Sequence, residues 1–140
     1  MMDKIDPKWS IYCYTWNELE EDILKLVPKI RACGIKFNAI YGVPCGGLML
    51  ATKLHYIFDW PIIFGGMDRR TLVVDDISDG MKGGVTLLPY RKRGIVTATI
   101  FYHQNSQVEP NIWLRKKEVD YIYFPWQNSP EPIRQILLSP

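Results

Sequence analysis

The sequence predicts an α/β domain with a mainly parallel, twisted sheet flanked by helices. Two observations carry that prediction. Short apolar runs rich in β-branched and aromatic residues alternate with stretches of helical periodicity. Three of the apolar runs lead into loops of glycine, aspartate or proline, at 44–47, 75–84 and 125–127. In an open parallel sheet such loops share one rim, outside the carboxyl ends of the strands, where ligands bind.

The elements follow in order. Over Trp16 to Ala32, the residues Leu19, Ile23, Leu26 and Ile30 recur at spacings of three and four and form one helix face. Thr15 and Glu18 match a capping box, Pro28 marks a kink, and Gly34 is the stop. Phe37 to Val43 reads as a buried strand, broken by Pro44-Cys45-Gly46-Gly47. Leu48 to Phe58 resumes helical spacing through Leu50, Ala51 and Leu54. Pro61 to Phe64 is a second short strand, Gly65 to Arg70 a loop, and Thr71 to Val74 a third strand. Val85 to Tyr90 predicts a short helix bent near Pro89. Ile95 to Tyr102 and Val119 to Phe124 are β-rich, the last closing at Pro125-Trp126.

With 140 residues and 47% hydrophobic content, the chain reads as one globular domain spanning 1–140. A formal net charge of +2 supplies no field for gathering nucleic acid. The runs Arg91-Lys92-Arg93 and Arg115-Lys116-Lys117 read as solvated faces. Cys13, Cys33 and Cys45 are odd in number and lack C-x-x-C spacing, so they read as reduced thiols of a cytoplasmic protein. The segment MMDKIDPKWS has no apolar signal core, and no apolar run approaches the roughly 20 residues of a membrane span. We therefore expect neither nucleic acid nor membrane among its partners.

The chemistry concentrates in Asp75-Asp76-Ile77-Ser78-Asp79. Carboxylates this close repel one another unless a cation or hydroxyl donors sit among them. A ribose diol offers two such donors, and Mg²⁺ offers charge. If Gly80-Met81-Lys82-Gly83-Gly84 opens a helix, its backbone N–H groups can cradle a phosphate. An idle acidic turn is the plainer alternative, but the buried-strand pattern Leu72-Val73-Val74 leading into it argues for a strand-end site. The spacing also matches the D-D-x-x-D diphosphate motif of prenyl synthases. That motif needs a helix to put its carboxylates on one face, and here a β-type run precedes it.

Leu72 to Asp79 resembles the phosphoribosyl-diphosphate (PRPP) signature of type I phosphoribosyltransferases, most of all the short xanthine/guanine type. Tyr41 to Leu48 is similar to that family's pyrophosphate loop, Ala98 to His103 to the strand and loop that reach the purine, and Phe124-Pro125-Trp126 to its base-stacking segment. The four matches stand in the family's order and span about residues 10 to 127. The resemblance implies the type I phosphoribosyltransferase-like fold with a small hood built from the terminal segments. It implies Mg²⁺-dependent transfer of a phosphoribosyl group from PRPP to guanine, xanthine or hypoxanthine, with release of pyrophosphate, as in purine salvage. A homo-dimer or tetramer is implied as well.

Roles follow from the same resemblance. Asp75 and Asp76 would hold the ribose hydroxyls and the linked Mg²⁺. Asp79 would sit near the purine N7 as proton acceptor and, with Gly80, Met81, Lys82 and Gly83, complete the PRPP site. Pro44, Cys45, Gly46 and Gly47 would form the pyrophosphate loop, and Ile77, His103, Phe124 and Trp126 would surround the base. Some residues differ from the family's usual ones. Asp79-Gly80-Met81-Lys82-Gly83 stands for D-T-G-x-T, Cys45 for a basic residue, and His103 for a lysine. The family's lid is cut to Gly65–Arg70, with Arg69 and Arg70 as its cations. These differences keep open a second reading, a non-catalytic module that binds a nucleotide or PRPP on the same fold.

Overall fold

A computed structural model describes residues 10–127, with the backbone alone for residues 80–85. The chain runs β1 (Ile11–Cys13), α1 (Trp16–Ala32), β2 (Ala39–Gly42), α2 (Gly46–Phe58), β3 (Thr71–Ser78), α3 (Gly80–Lys92), β4 (Thr97–Tyr102), β5 (Ile112–Lys116) and β6 (Tyr121–Tyr123), and ends in a 3₁₀ turn, Pro125–Gln127. β2, β3, β4 and β5 form a parallel sheet in that order, and β1 pairs with β6 in a separate two-stranded parallel sheet.

Helix α1 starts where the side chains dictate. Thr15 Oγ1 accepts the Glu18 N–H while the Glu18 carboxylate accepts the Thr15 N–H, which closes the capping box. Pro28 sits inside the helix without ending it. The carbonyl it deprives of a donor belongs to Leu24, on the solvent side, where water can replace the lost bond. Gly34 takes φ of 75° and stops the helix.

The sheet's two faces divide the core. Leu19, Ile23, Leu26 and Ile30 of α1 and Leu50, Ala51 and Leu54 of α2 pack on Leu72, Val74, Ala98 and Ile100. On the other face Leu87 of α3 packs with Val43, Val73, Ile95 and Val108. Each such aliphatic side chain, fully buried, contributes roughly 1.5–3 kcal/mol.

Connectivity explains why the helices part. After α2 the chain returns to Ile62, which bridges Ile40 in parallel on the outer edge of β2. The crossover through α3 moves the opposite way, from β3 to β4. Right-handed crossovers that move in opposite directions must lie on opposite faces. The sheet therefore has its topological switch between β2 and β3, and a crevice opens there at the carboxyl ends.

Several elements differ from expectation. The strand expected over Pro61 to Phe64 is a single bridge at Ile62. β3 runs through the acidic residues to Ser78, and α3 begins at Gly80, earlier than Val85. β5 was masked by its charge. Its Arg115 is only partly solvated: it bonds Asp22 at 3.0 Å and Tyr12 at 3.3 Å, and it lies 5.8 Å from the Tyr14 ring centroid. Asp22, fully buried on α1, also accepts the Tyr14 hydroxyl at 2.6 Å. Burial and that bond push the Tyr14 phenol upward. This network ties α1 and the β1 end of the hood to β5. Among the described residues no helix is long and apolar enough to cross a membrane.

Asp22→Leu should leave Arg115 without its best partner and Tyr14 without an acceptor. The expected cost is about 2–3 kcal/mol in urea denaturation, the low end for a buried pair because Arg115 is partly solvated.

Candidate functional site

β3 carries the acid pair into the interior. Alternation sends Leu72 and Val74 to the α1/α2 face and Val73 to the α3 face. After Asp76 the pattern reverses: Ile77 joins the α1/α2 cluster, and Ser78 donates to the Val108 carbonyl at 2.7 Å. Asp75 and Asp76 fall at this reversal, both only 9% exposed. Asp75 Oδ1 accepts the Asp76 N–H at 2.8 Å.

Burial, then the charge of Asp76, push the Asp75 carboxyl up to about 9. Burial also raises Asp76, while a hydrogen bond from Asp75 works the other way. Both carboxyls are thus driven toward the protonated form, and the pair favours one shared proton.

Loop 44–47 meets the pair from the β2 side. A Cβ at Gly46 would overlap the Asp76 carboxylate, and one at Gly47 would overlap the Val74 carbonyl. Glycine is required at both for α2 to begin this close to β3. The Pro44–Cys45 peptide is cis, and Cys45, exposed, is the N-cap of α2 without a side-chain cap bond. The Gly47 N–H donates to the Val43 carbonyl at 2.8 Å, so its amide is spent within the loop.

From the β3 side, α3 opens directly after Asp79, with the backbone of Gly80, Met81, Lys82 and Gly83 in its first turn. The Asp79 carboxylate meets Lys117 Nζ at 2.6 Å. His103 is held at the rim by its N–H to the Ser78 carbonyl. Its Nδ1 lies 3.8 Å from Asp79 and accepts the Asn105 N–H at 3.3 Å. The neutral ring therefore keeps its proton on Nε2.

A pocket of about 220 Å³ lies against these groups, lined by Asp76, Ile77, Asp79, Lys117 and Tyr121 with Ile122, Phe124 and Gln127. It is smaller than the roughly 300–1,000 Å³ of a drug-sized ligand site, and suits one planar ring system. Phe124 and Trp126 are the aromatic residues expected to surround a base, and Phe124 does line this pocket. Phe124 is buried and stacks on Trp126 at 4.9 Å, and the Trp126 ring also packs edge-on with Tyr14 and Trp16. The Trp126 indole N–H is buried without a hydrogen-bond partner, although its proximity lowers the Asp76 carboxyl. Tyr121, at the start of β6, lines the pocket together with Phe124.

Sequence reasoning missed Lys117 and Tyr121. Both follow from recognising β5: Lys117 leaves its carboxyl end, and Tyr121 opens the next strand. The end of the segment Gly65–Arg70 lies at the opposite end of the sheet. The Arg70 carbonyl accepts the Asn38 N–H ahead of β2, and the Arg69 guanidinium lies beside Gly94 ahead of β4. Neither arginine is at the rim.

The acid pair also fits a divalent cation. Its donors are hard oxygens, and it holds a proton where a cation would relieve the repulsion. No group of three or more ligating side chains gathers among the described residues. Such an ion would arrive with oxygens of its substrate, as Mg²⁺ commonly does.

Solved structures of similar fold include a purine phosphoribosyltransferase from Pyrococcus horikoshii, 28% identical with a TM-score of 0.71, over 86% of this chain and 96% of that one. The xanthine-guanine-hypoxanthine phosphoribosyltransferase of Helicobacter pylori is 19% identical with a TM-score of 0.70, over 91% and 99%. A Neisseria gonorrhoeae protein solved with bound ppGpp is 18% identical with a TM-score of 0.67, over 96% and 98%. No protein-family model and no curated protein matches the sequence.

The raised acid pair predicts a pH dependence. An unfolded aspartate loses its proton near pH 3.9, but folded Asp75 keeps it to about 9. Between those limits the folded state binds more protons, so the stability of the ligand-free protein falls as pH rises. Asp75→Asn should flatten that decline and stabilise the protein by at least about 1 kcal/mol at pH 8. Equal or lower stability of the variant at pH 8 contradicts the burial of the pair.

Proposed function

We propose that this chain, whose fold is that of the type I phosphoribosyltransferases and resembles the purine-specific ones, transfers a phosphoribosyl group from PRPP to a purine base and releases pyrophosphate. The observation that carries the reading is a convergence at the β2/β3 switch point. A proton-sharing acid pair, an open helix N-terminus and a base-sized pocket meet within one crevice.

The chemistry divides among these parts. Asp75 and Asp76 accept the two ribose hydroxyls, which takes the place of the shared proton. The first-turn N–H groups of α3 receive the 5′-phosphate, where helix donors and dipole favour an anion. Cys45 and Gly46, beside Asp76, face the diphosphate. Asp75 and Asp76 would hold Mg²⁺, which when bound neutralises the leaving pyrophosphate. The base enters against Ile77 and Tyr121, and Asp79 takes the proton from its ring nitrogen as the bond to C1′ forms. Positioning by the crevice supplies much of the remaining rate.

One observation favours a second reading. Arg69 and Arg70 lie at the amino end of the sheet, so the two cations of the short segment Gly65–Arg70 do not reach the crevice. A diphosphate leaving group without those charges suits a nucleotide-binding module better than a transferase. The ppGpp bound by the Neisseria protein is an example of a guanine nucleotide held on this fold.

PRPP, Mg²⁺ and guanine, xanthine or hypoxanthine should yield nucleotide and pyrophosphate. Asp79→Asn should lower kcat by about 10²-fold or more, the usual yield of one acid–base group. Tyr121→Ala should raise KM for the base about tenfold, with a smaller effect on kcat. Nucleotide binding without turnover of any base would establish the module instead.

A further inference from the structure

Asp79 is the N-cap of α3, with φ of −140° and ψ of 131°. An aspartate with that backbone ordinarily accepts the second or third N–H of its helix. This one makes no such bond. Its carboxylate turns instead to Lys117, whose Nζ lies 2.6 Å from Oδ2. Lys117 is well anchored for the task. It directly follows β5, its own N–H donates to the Tyr102 carbonyl at 2.9 Å, and its side chain is 12% exposed. His103 is no rival, because its Nδ1 already accepts from Asn105.

We propose that Lys117 is the positioning residue of Asp79: its ammonium draws the carboxylate off the first turn of α3 and holds it on the wall of the base-sized pocket. The physical consequence is double. The α3 N-terminus keeps its orphan donors and its partial positive charge. A capping carboxylate would have consumed one donor and repelled an incoming phosphate. The same pull fixes the only carboxylate that reaches the pocket from the α3 side among the described residues. The carboxylate–ammonium bond has an ionised group at both ends, whereas a carboxylate cap bond has one at the acceptor alone, so the diversion is favourable. The effect on phosphate binding rests on the function proposed above, whereas the position of the carboxylate does not.

The test reads the helix directly. Backbone amide shifts of residues 81 and 82 are followed by NMR in the ligand-free wild type, Lys117→Met, Lys117→Arg and the double variant Lys117→Met/Asp79→Ala. In Lys117→Met one of the two amides should move downfield as Asp79 swings to cap the helix, and the double variant should lose that shift. Lys117→Arg should keep the wild-type spectrum. Titration with PRPP and Mg²⁺ should give about tenfold weaker binding in Lys117→Met and near wild-type binding in Lys117→Arg. If Lys117→Met does not fold, Lys117→Gln takes its place. Unmoved amides in the folded variant overturn the proposal. Amides that move while even the wild type binds no PRPP uphold the positioning role and overturn the proposed function.

Discussion

The structure turns on two adjacent carboxyls, Asp75 and Asp76, buried at the carboxyl end of β3. Two ionised groups in so little water are unfavourable, and the chain answers by letting them share a proton. Nothing in the hydrophobic packing asks for them. Leu72, Val73 and Val74 already fill both faces of the strand, and the alternation of faces reverses where the acids begin. A local conflict of this kind marks a place where stability has been exchanged for a site.

The neighbouring elements are shaped by that pair. α2 can start beside it only because residues 46 and 47 lack side chains. α3 leaves β3 toward the opposite face, so the acids lie in the crevice between two diverging helices. The hood, held by the Asp22–Arg115–Tyr14 network, sets β6 and its Tyr121 against the crevice. Lys117, at the exit of β5, then governs where Asp79 points. Charge therefore appears in two separate roles: a pair that calls for an external diol or cation, and a pair already satisfied internally that sets geometry.

Much of the fold was legible in the sequence, and for clear reasons. The α1 face, its capping box and its glycine stop are local signals that tertiary contacts reinforce. The run Leu72 to Asp79 reads as a strand ending in acids because the strand is buried on both faces and so continuously apolar. What was not legible depended on distant contacts. β5 carries Arg115 and Lys116, which look solvated until Asp22, ninety-three positions away, is seen to meet Arg115. The packing of Trp126 on Phe124, Tyr14 and Trp16 depends on contacts that the sequence does not display. Arg69 and Arg70 looked close to the crevice along the chain, while the bond from Asn38 to the Arg70 carbonyl and the contact of Arg69 with Gly94 put them at the other end of the sheet.

The most direct test of the account is the proton that accompanies ligand binding. If the ribose hydroxyls and the cation replace the proton shared by Asp75 and Asp76, binding of PRPP with Mg²⁺ at pH 8 should release close to one proton. Calorimetric titration in buffers of different ionisation enthalpy measures it. The account predicts that release in the wild type and its loss in Asp75→Asn. Tight binding with no proton released, or the same release from the variant, would contradict the placement of the ligand on this acid pair.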